Sequence, residues 1–323
     1  MKKDTYIKGA ALAAMGGVFW ALAGTFGQFL FECRNFDAEW LTSVRLISAG
    51  LIMLMICAMK EKKRFFDIWK TKRDAVEVII YGLVGMLGVQ ITYLFAIQYS
   101  NAATGTIVQY TGSAMIVVYL AVRHLKLPNR YEVAAVILAI AGIFVLSTHG
   151  DVHNFVISKE ALAWGLTSAV LMAFYSIFPR RMLARFGTLC TNGWGMTIGG
   201  LVLLLFRQPW DLGGGTLDFS AVMAAAGVVV FGTILSFFCY LDGVRLIGST
   251  KAVLYACVEP LTAAIIGILW FHIPFGLIDW FGAALIVSTV FIISLAPKEK
   301  EPEDGISKDQ CTTNASAPSE KRS

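Results

Sequence analysis

From Val78 through Val122 the chain carries no Asp, Glu, Lys, Arg or His. A charge-free run of that length cannot coat a water-soluble domain, and about 20 apolar residues are enough to cross the hydrocarbon core of a bilayer. The window therefore holds two spans, with the turn between them in "QYSNAA", Gln98 to Ala103. Composition extends the reading to the rest of the chain. Hydrophobic residues make up 57% and charged residues 15%, with a mean hydropathy of +0.67. A soluble domain of 323 residues has too much surface to be so poor in charge.

Ten spans follow on the same criterion, at roughly 9–31, 40–59, 78–98, 102–122, 132–148, 161–179, 190–206, 219–240, 250–271 and 279–296. The first comes after Lys2, Lys3 and Lys8, in the manner of a signal peptide. Its uncharged run, Gly9 to Phe31, exceeds the roughly 7–15 apolar residues of a cleaved leader. It is read as an uncleaved first helix. Basic residues favour the cytoplasmic side. With an inner N-terminus, "KEKKRFFDIWKTKR" (60–73), Arg123, Lys126, Arg130 and "PRRMLAR" (179–185) are all cytoplasmic. Of the 27 Lys and Arg only Arg34, Lys159 and Arg207 fall outside, and Arg45 lies within a span. The expectation is a multi-pass protein of the inner or plasma membrane with both termini cytoplasmic.

The net charge of +5 thus reports topology: its partner is membrane lipid and not nucleic acid. The six cysteines are scattered and only Cys33 falls in an outer loop, so no disulfide framework is expected. After Ala296 the sequence turns polar, as in a disordered cytoplasmic tail, where the Asn314 sequon faces the wrong compartment for glycosylation.

The two halves share a pattern. An offset of 147 residues sets Gly85 on Gly232, Tyr93 on Tyr240, Glu132 on Asp279 and Ser147 on Ser294. Near an offset of 150, Gly50-Leu51 meets Gly200-Leu201; at 155, Phe19-Trp20 meets Phe174-Tyr175. Five is odd, so a second set of five spans enters the membrane from the opposite face to the first. The expected fold is therefore all-α and integral to the membrane, ten transmembrane helices arranged as two inverted five-helix repeats, the architecture of alternating access. The segments are a cytoplasmic N-terminus (1–8), the first repeat (9–148), an extracytoplasmic linker (149–160), the second repeat (161–296) and the tail (297–323).

Few residues in the spans carry chemistry. Glu259 and Pro260 sit mid-span in "KAVLYACVEPLTAAIIGILWF". A charge at that depth costs about 2.5–10 kcal/mol and normally faces a cavity or a partner. The proline frees the carbonyl of residue 255 or 256 and kinks the helix, which lipid tolerates only if protein or cavity water satisfies it. One reading is a purely structural kink with Glu259 capping a neighbour; the other is a cavity wall used for substrate contact or proton coupling. Arg45 is the only Arg or Lys within the apolar body of a span. Either it snorkels outward, or it faces the cavity, where its planar fork suits a carboxylate. A further reading pairs it with Glu259 in one state and parts the two when substrate binds.

Gln109, Tyr110, Thr111, Gly112 and Ser113 form the polar point of the fourth span, and Gln90 and Gln98 add amides on the third. Such side chains either bind solute or join helices. Trp20 with Phe19 and Tyr175 with Phe174 either wall a site or simply pack. Gly82, Gly85 and Gly88, and Gly195 with Gly199, make small-residue faces for close helix packing. His149 and His153 flank Asp151 in an outer loop, a weak metal spacing, and no metal or other cofactor is expected. No phosphate loop, zinc-protease motif or nucleophile elbow occurs, so the chain is not read as an enzyme.

The chain resembles the ten-helix drug/metabolite transporter superfamily, in its EamA branch, over nearly all of 9–296. The resemblance rests on "GGVFWALAG", the arginine of "WLTSVRLISAG" and "SNAATGTIVQYTGS" in the first half. In the second half it rests on "ALAWGLTSAVLMAFYSIFPRRM", "CVEPLTAAIIGILW" and "GAALIVSTVFIISL". The Gly-Glu pair that often ends helices four and nine in the family is replaced by "RHLKLP" and "WFHIPF", and Ser113 stands where a helix-four proline would match Pro260. The resemblance implies a transporter of small metabolites. The expectation is a secondary transporter, a monomer or homodimer, moving an amino acid-like or other small organic solute by alternating access, in the direction of efflux. The substrate-binding candidates are Arg45, Glu259, Gln109, Tyr110, Thr111, Trp20, Tyr175 and Gln90, with Pro260 as the kink. The alternatives are a membrane-embedded enzyme and a non-transporting receptor or scaffold.

Overall fold

The computed structural model describes residues 3–60, 65–124, 129–148, 156–208 and 210–295, and among them every regular element is helical. The first half comprises α1 (Lys3–Arg34), α2 (Ala38–Lys60), α3 (Lys72–Ile80), a π turn (Tyr81–Leu87), α4 (Gly88–Gln98), α5 (Ala102–Tyr110), α6 (Gly112–His124) and α7 (Arg130–Thr148). The second comprises α8 (Lys159–Ile177), α9 (Arg180–Leu204), α10 (Phe219–Val229), a second π turn (Val230–Leu235), α11 (Ser236–Ile247), α12 (Ser249–Ala256), α13 (Val258–Phe271) and α14 (Leu277–Leu295). Side chains satisfy the first orphan amides of several helices. Thr71, Asn101, Ser158 and Asp218 each accept a hydrogen bond from the backbone N–H three residues on.

Among the described residues, eight helices, counting α3–α4, α10–α11 and α12–α13 as continuous, are long and apolar enough to cross a membrane. Their outer faces agree: Leu51, Met55, Ile137, Ile140 and Leu269 are exposed around the bundle, a belt that water would penalise and lipid accepts.

Two segments depart from the pattern read in the sequence. The stretch 102–122, expected as one unbroken span, is interrupted at Thr111 between α5 and α6. No proline is needed, because two hydroxyls turn back on the chain. Thr111 donates to the Val108 carbonyl at 2.7 Å and Ser113 to that of Tyr110 at 2.9 Å, local bonds that compete with the helical ladder. The arginine-rich stretch 179–185, expected as a loop, is helical from Arg180 onward. Gly187, at φ 76°, bends it away from the rest of α9, a conformation open to glycine and costly to other residues.

Both halves carry the same irregularities in the same order. The π turns contain Gly85 and Gly232, and the interruptions fall at Thr111 and Cys257, in each case at or within one residue of the 147-residue offset. The packing obeys the same exchange. The main partner of α2 is α9, and that of α7 is α14; α1 packs on α11 as α4 packs on α8. One buried cluster gathers Leu30, Leu41, Leu94, Ile97 and Val228, and another Leu46, Tyr81, Met86, Met182 and Met196. Between these clusters the bundle is hollow.

Ion pairs tie the two ends. Arg34, closing α1, donates to Asp218 at 3.0 Å and to Ser220 at 2.7 Å, and Arg207 donates to Asp37 at 2.5 Å beside them. At the opposite end Arg181 donates to Asp74 and, at 2.9 Å, to Glu77, while Arg185 donates to Asp74 at 2.7 Å.

Candidate functional site

A cavity of about 410 Å³ lies at the centre, within the range of small-molecule sites. Three irregular elements border it: the first π turn through Gly85 and Met86, the α5–α6 break through Gln109, Tyr110 and Ser113, and the α12–α13 break through Ala256 and Glu259. The second π turn reaches it through Arg45, whose Nη2 donates to the Gly232 carbonyl at 3.1 Å. A π turn displaces a carbonyl from its usual partner, and here a guanidinium takes one up.

Pro260 lacks the N–H that would bond to Ala256. The freed carbonyl of Ala256 instead accepts the Tyr110 hydroxyl at 3.3 Å, and the same hydroxyl lies 3.1 Å from Glu259 Oε2. The two broken helices therefore meet at Tyr110, each bringing polar groups that lipid would not tolerate. Cys257 occupies the break itself and donates its thiol to Val253 O at 3.3 Å.

Arg45 is 7% exposed and buried against the cavity rather than snorkelled. Its Nε has no hydrogen-bond partner, and among the described residues no ion pair within 4 Å joins it to Glu259. Both groups thus border one space unpaired, whereas the sequence reading has them pair in one state and part when substrate binds.

The structure brings most of the sequence candidates together. Trp20, Gln90, Gln109, Tyr110 and Tyr175 line the cavity with Arg45 and Glu259. Part of the polarity is already committed: Gln109 donates to Ser168 at 2.6 Å, and the Tyr175 ring stacks on Tyr81 at 5.9 Å. Trp20 meets Phe237 edge-on at 5.9 Å and Tyr240 at 5.2 Å. Thr111 is the exception among the candidates. It is 2% exposed, spends its hydroxyl on Val108 and does not line the cavity. Pro260 is buried in the first turn of α13, and Gln98 lies elsewhere, accepting the Ala38 N–H at 2.7 Å as a cap for α2.

Sequence reasoning overlooked Tyr93, Tyr240, Phe237, Met172 and Met196, all in the cavity wall. A signal was present for the tyrosines, which are equivalent at an offset of 147 residues. His149, Asp151 and His153 lie outside the described residues. Cys33, Cys57, Cys239 and Cys257 are free thiols.

The sequence of the whole chain has clear relatives. A family model described as the EamA-like transporter family matches it twice, over residues 7–148 and 159–295. A protein of Salmonella typhimurium described as the uncharacterized inner membrane transporter YicL is 38% identical over 296 residues, 91% of this chain and 97% of its own. The Bacillus subtilis protein described as the uncharacterized transporter YwfM is 24% identical over 310 residues, covering 93% and 97%. One chain of known crystal structure superposes with a TM-score of 0.58 over 91% of this chain and 98% of its own at 17% identity, a likeness of fold alone.

Proposed function

Because the chain belongs to the EamA-like transporter family, a multi-pass inner membrane protein by its relatives and its apolar helices, we propose that it is a secondary transporter of a small organic solute working by alternating access. The observation that carries the reading is the cavity. Its wall takes equivalent aromatic residues from both halves, Trp20 with Tyr175 and Tyr93 with Tyr240, and it lies where four irregular helices converge. Ten spans complete the arrangement if the broken α5–α6 pair and the bent α9 also cross. The second half then enters from the face opposite to the first, and exchanging the roles of the halves opens the same cavity to either side. The lysine and arginine distribution supports a cytoplasmic position for both termini. The cavity is lined by residues of one chain, which supports one chain as the transporting unit, as a monomer or within a homodimer.

We assign the direction as efflux and the solute class as amino acid-like or another small organic molecule. The test is flux in proteoliposomes loaded with a mixture of isotope-labelled metabolites. Release of one class faster than from protein-free vesicles supports the reading. Uniform retention, by protein shown to be folded in the same vesicles, overturns it.

A further inference from the structure

We propose that a crevice on the outer surface of the bundle, between α2 and α11, seats an acyl chain of a phospholipid whose phosphoethanolamine head is held by Lys60 and Asp242. The crevice measures about 190 Å³ and is walled by Met53, Ile56 and Leu189 from α2 and α9, and by Ile234, Phe238 and Leu241 from the second π turn and α11. Its origin lies in the inequality of two equivalent seams. The first π turn closes on α9 through Gly82, Gly195 and Gly199. At the other seam Val229 stands where Gly82 does and Arg45 where Gly195 does, at offsets of 147 and 150 residues. Side chains take the place of the glycine contacts, and α2 meets the second π turn only lightly.

Helical spacing grades the crevice from apolar to charged. Met53, Ile56 and Lys60 recur at three and four residues along α2, and Ile234, Phe238 and Asp242 at four along the second π turn and α11, so each set shares one face. From Met53 to Lys60 the helix rises about 10 Å, within the roughly 15 Å of hydrocarbon in one leaflet. The charged end thus falls at the close of α2, at headgroup depth. There Lys60 Nζ stands 5.6 Å from the Phe238 ring centroid, and Asp242 joins the wall one helical turn beyond Phe238. Both side chains are exposed, and among the described residues no ion pair joins them. Charge decides the head. A phosphoglycerol head would satisfy Lys60 and meet Asp242 as a like charge. Phosphocholine carries both signs, but its quaternary ammonium has no N–H to donate. Phosphoethanolamine offers a phosphate oxygen to Lys60 and an N–H donor to Asp242. A free phosphate or a soluble amine would leave the apolar slot beneath unfilled, whereas one lipid fills both. Phe237 walls this crevice and the central cavity alike, so a seated chain bears on the cavity from the side.

The experiment uses the purified full-length chain in phosphocholine nanodiscs, each doped with one of three photoreactive phospholipids. The probes share a diazirine-bearing acyl chain and differ in the head: phosphoethanolamine, phosphocholine or phosphoglycerol. Crosslinks are mapped by peptide mass spectrometry, with the exposed Leu51 and Met55 as the measure of non-specific contact with lipid. The phosphoethanolamine probe should label Ile56 and Leu241 about threefold or more above that background, and the other two probes should match the background. Lys60→Gln and Asp242→Asn should each remove most of the excess and leave Leu51 and Met55 labelled as before. Ile56→Trp fills the crevice and should abolish the excess at Leu241; Leu241→Trp, read at Ile56, does the same from the opposite wall if the first variant fails to fold. Crevice labelling by the phosphoethanolamine probe at or below background overturns the proposal. So does an equal or greater excess with either other head, or an excess that survives both charge variants. Binding is read here without transport, so such a failure leaves the transporter reading untouched.

Discussion

Arg34 holds Asp218 at one end of the bundle, and Arg181, at the equivalent position 147 residues later, holds Asp74 at the other. The two pairs fasten the start of α10 and the start of α3, which occupy corresponding places in the halves. They are unequal in depth. The Asp74 side chain is fully buried and held by two arginines, whereas Asp218 is 42% exposed.

That inequality predicts unequal consequences. Arg181→Gln leaves a buried carboxylate with Arg185 and Thr71 alone and is expected to cost on the order of 2 kcal/mol. Arg34→Gln acts on a solvent-screened pair and should barely move Tm. Its effect should appear instead as freer access, from that end, to a cysteine placed at Ser176 in the cavity. Melting curves and maleimide labelling rates of the two variants check both halves of the expectation.

Asp218 also sets a pH window. The Ser220 hydroxyl, the Ala221 N–H and Arg34 hold its carboxyl down at about 2, below the roughly 3.9 of an unfolded aspartate. A depressed carboxyl contributes stability that is complete above the unfolded value and is lost as pH falls through the folded one. Wild type should therefore melt above Asp218→Asn at pH 5 to 7, and the two should converge as pH approaches 2. A constant gap down to pH 2 would show that the carboxylate's charge is irrelevant.

Sidedness is checked at Cys33, an exposed native thiol at the α1–α2 turn. With the other cysteines replaced by serine, Cys33 should react with an impermeant maleimide in intact cells. A cysteine replacing Phe66, exposed between α2 and α3, should react only after permeabilisation. Labelling of both from the same side would refute the proposed topology.

Arg45→Ala should insert normally and lose at least about tenfold in flux, because a buried arginine on a cavity wall is retained for pairing or for ligand. Flux at the wild-type rate would reduce Arg45 to a brace for the Gly232 carbonyl.

At the α12–α13 break, Glu259→Gln preserves shape and the contact with Tyr110 while removing the charge, so transport should change in affinity or pH dependence without loss of fold. Pro260→Ala restores an N–H able to bond to Ala256, in competition with Tyr110. It should straighten the helix, raise Tm and slow flux. If Glu259→Gln transports like wild type at every pH and Pro260→Ala is destabilised, the pair is structural.

The apolar spans, the Pro260 kink and the membership of Arg45 and Glu259 in a polar centre were legible in the sequence, because charge and proline are expensive in lipid and have few reasons to be there. The freed carbonyl is Ala256's, one of the two expected. The π turns left no mark of their own: residues 81–87 and 230–235 read as ordinary helix, since a surplus residue per turn alters hydrogen bonding without altering composition. The Thr111 interruption was hidden for a related reason. Threonine and serine hydroxyls sit equally well on a regular helix or against the carbonyl three residues back, and only the surrounding packing chooses. The same ambiguity put Thr111 among the cavity candidates and left Tyr93 and Tyr240 out, their role depending on which face of α4 and α11 turns inward.

The seam between the first π turn and α9 sets backbone against backbone at its glycines, with the side chains of Tyr81, Met86, Leu87 and Ile198 around them. A Cβ on Gly82 would lie 2.8 Å from the Gly195 carbonyl, and one on Gly199 would lie 2.7 Å from that of Gly82. Interlocked side chains must change rotamer together before one helix can turn over another, and close-packed interiors resist this. The facing glycines have nothing to disengage, but beside them the Tyr81 hydroxyl donates to Asn192 at 2.9 Å. In mechanical terms the glycines act as a plain bearing: they fix the separation of the two helices, and resistance to turning comes from the Tyr81–Asn192 bond and, at the rim, from Arg181 and Asp74. A single added methyl at Gly82 would key the bearing and hold the protein in one orientation.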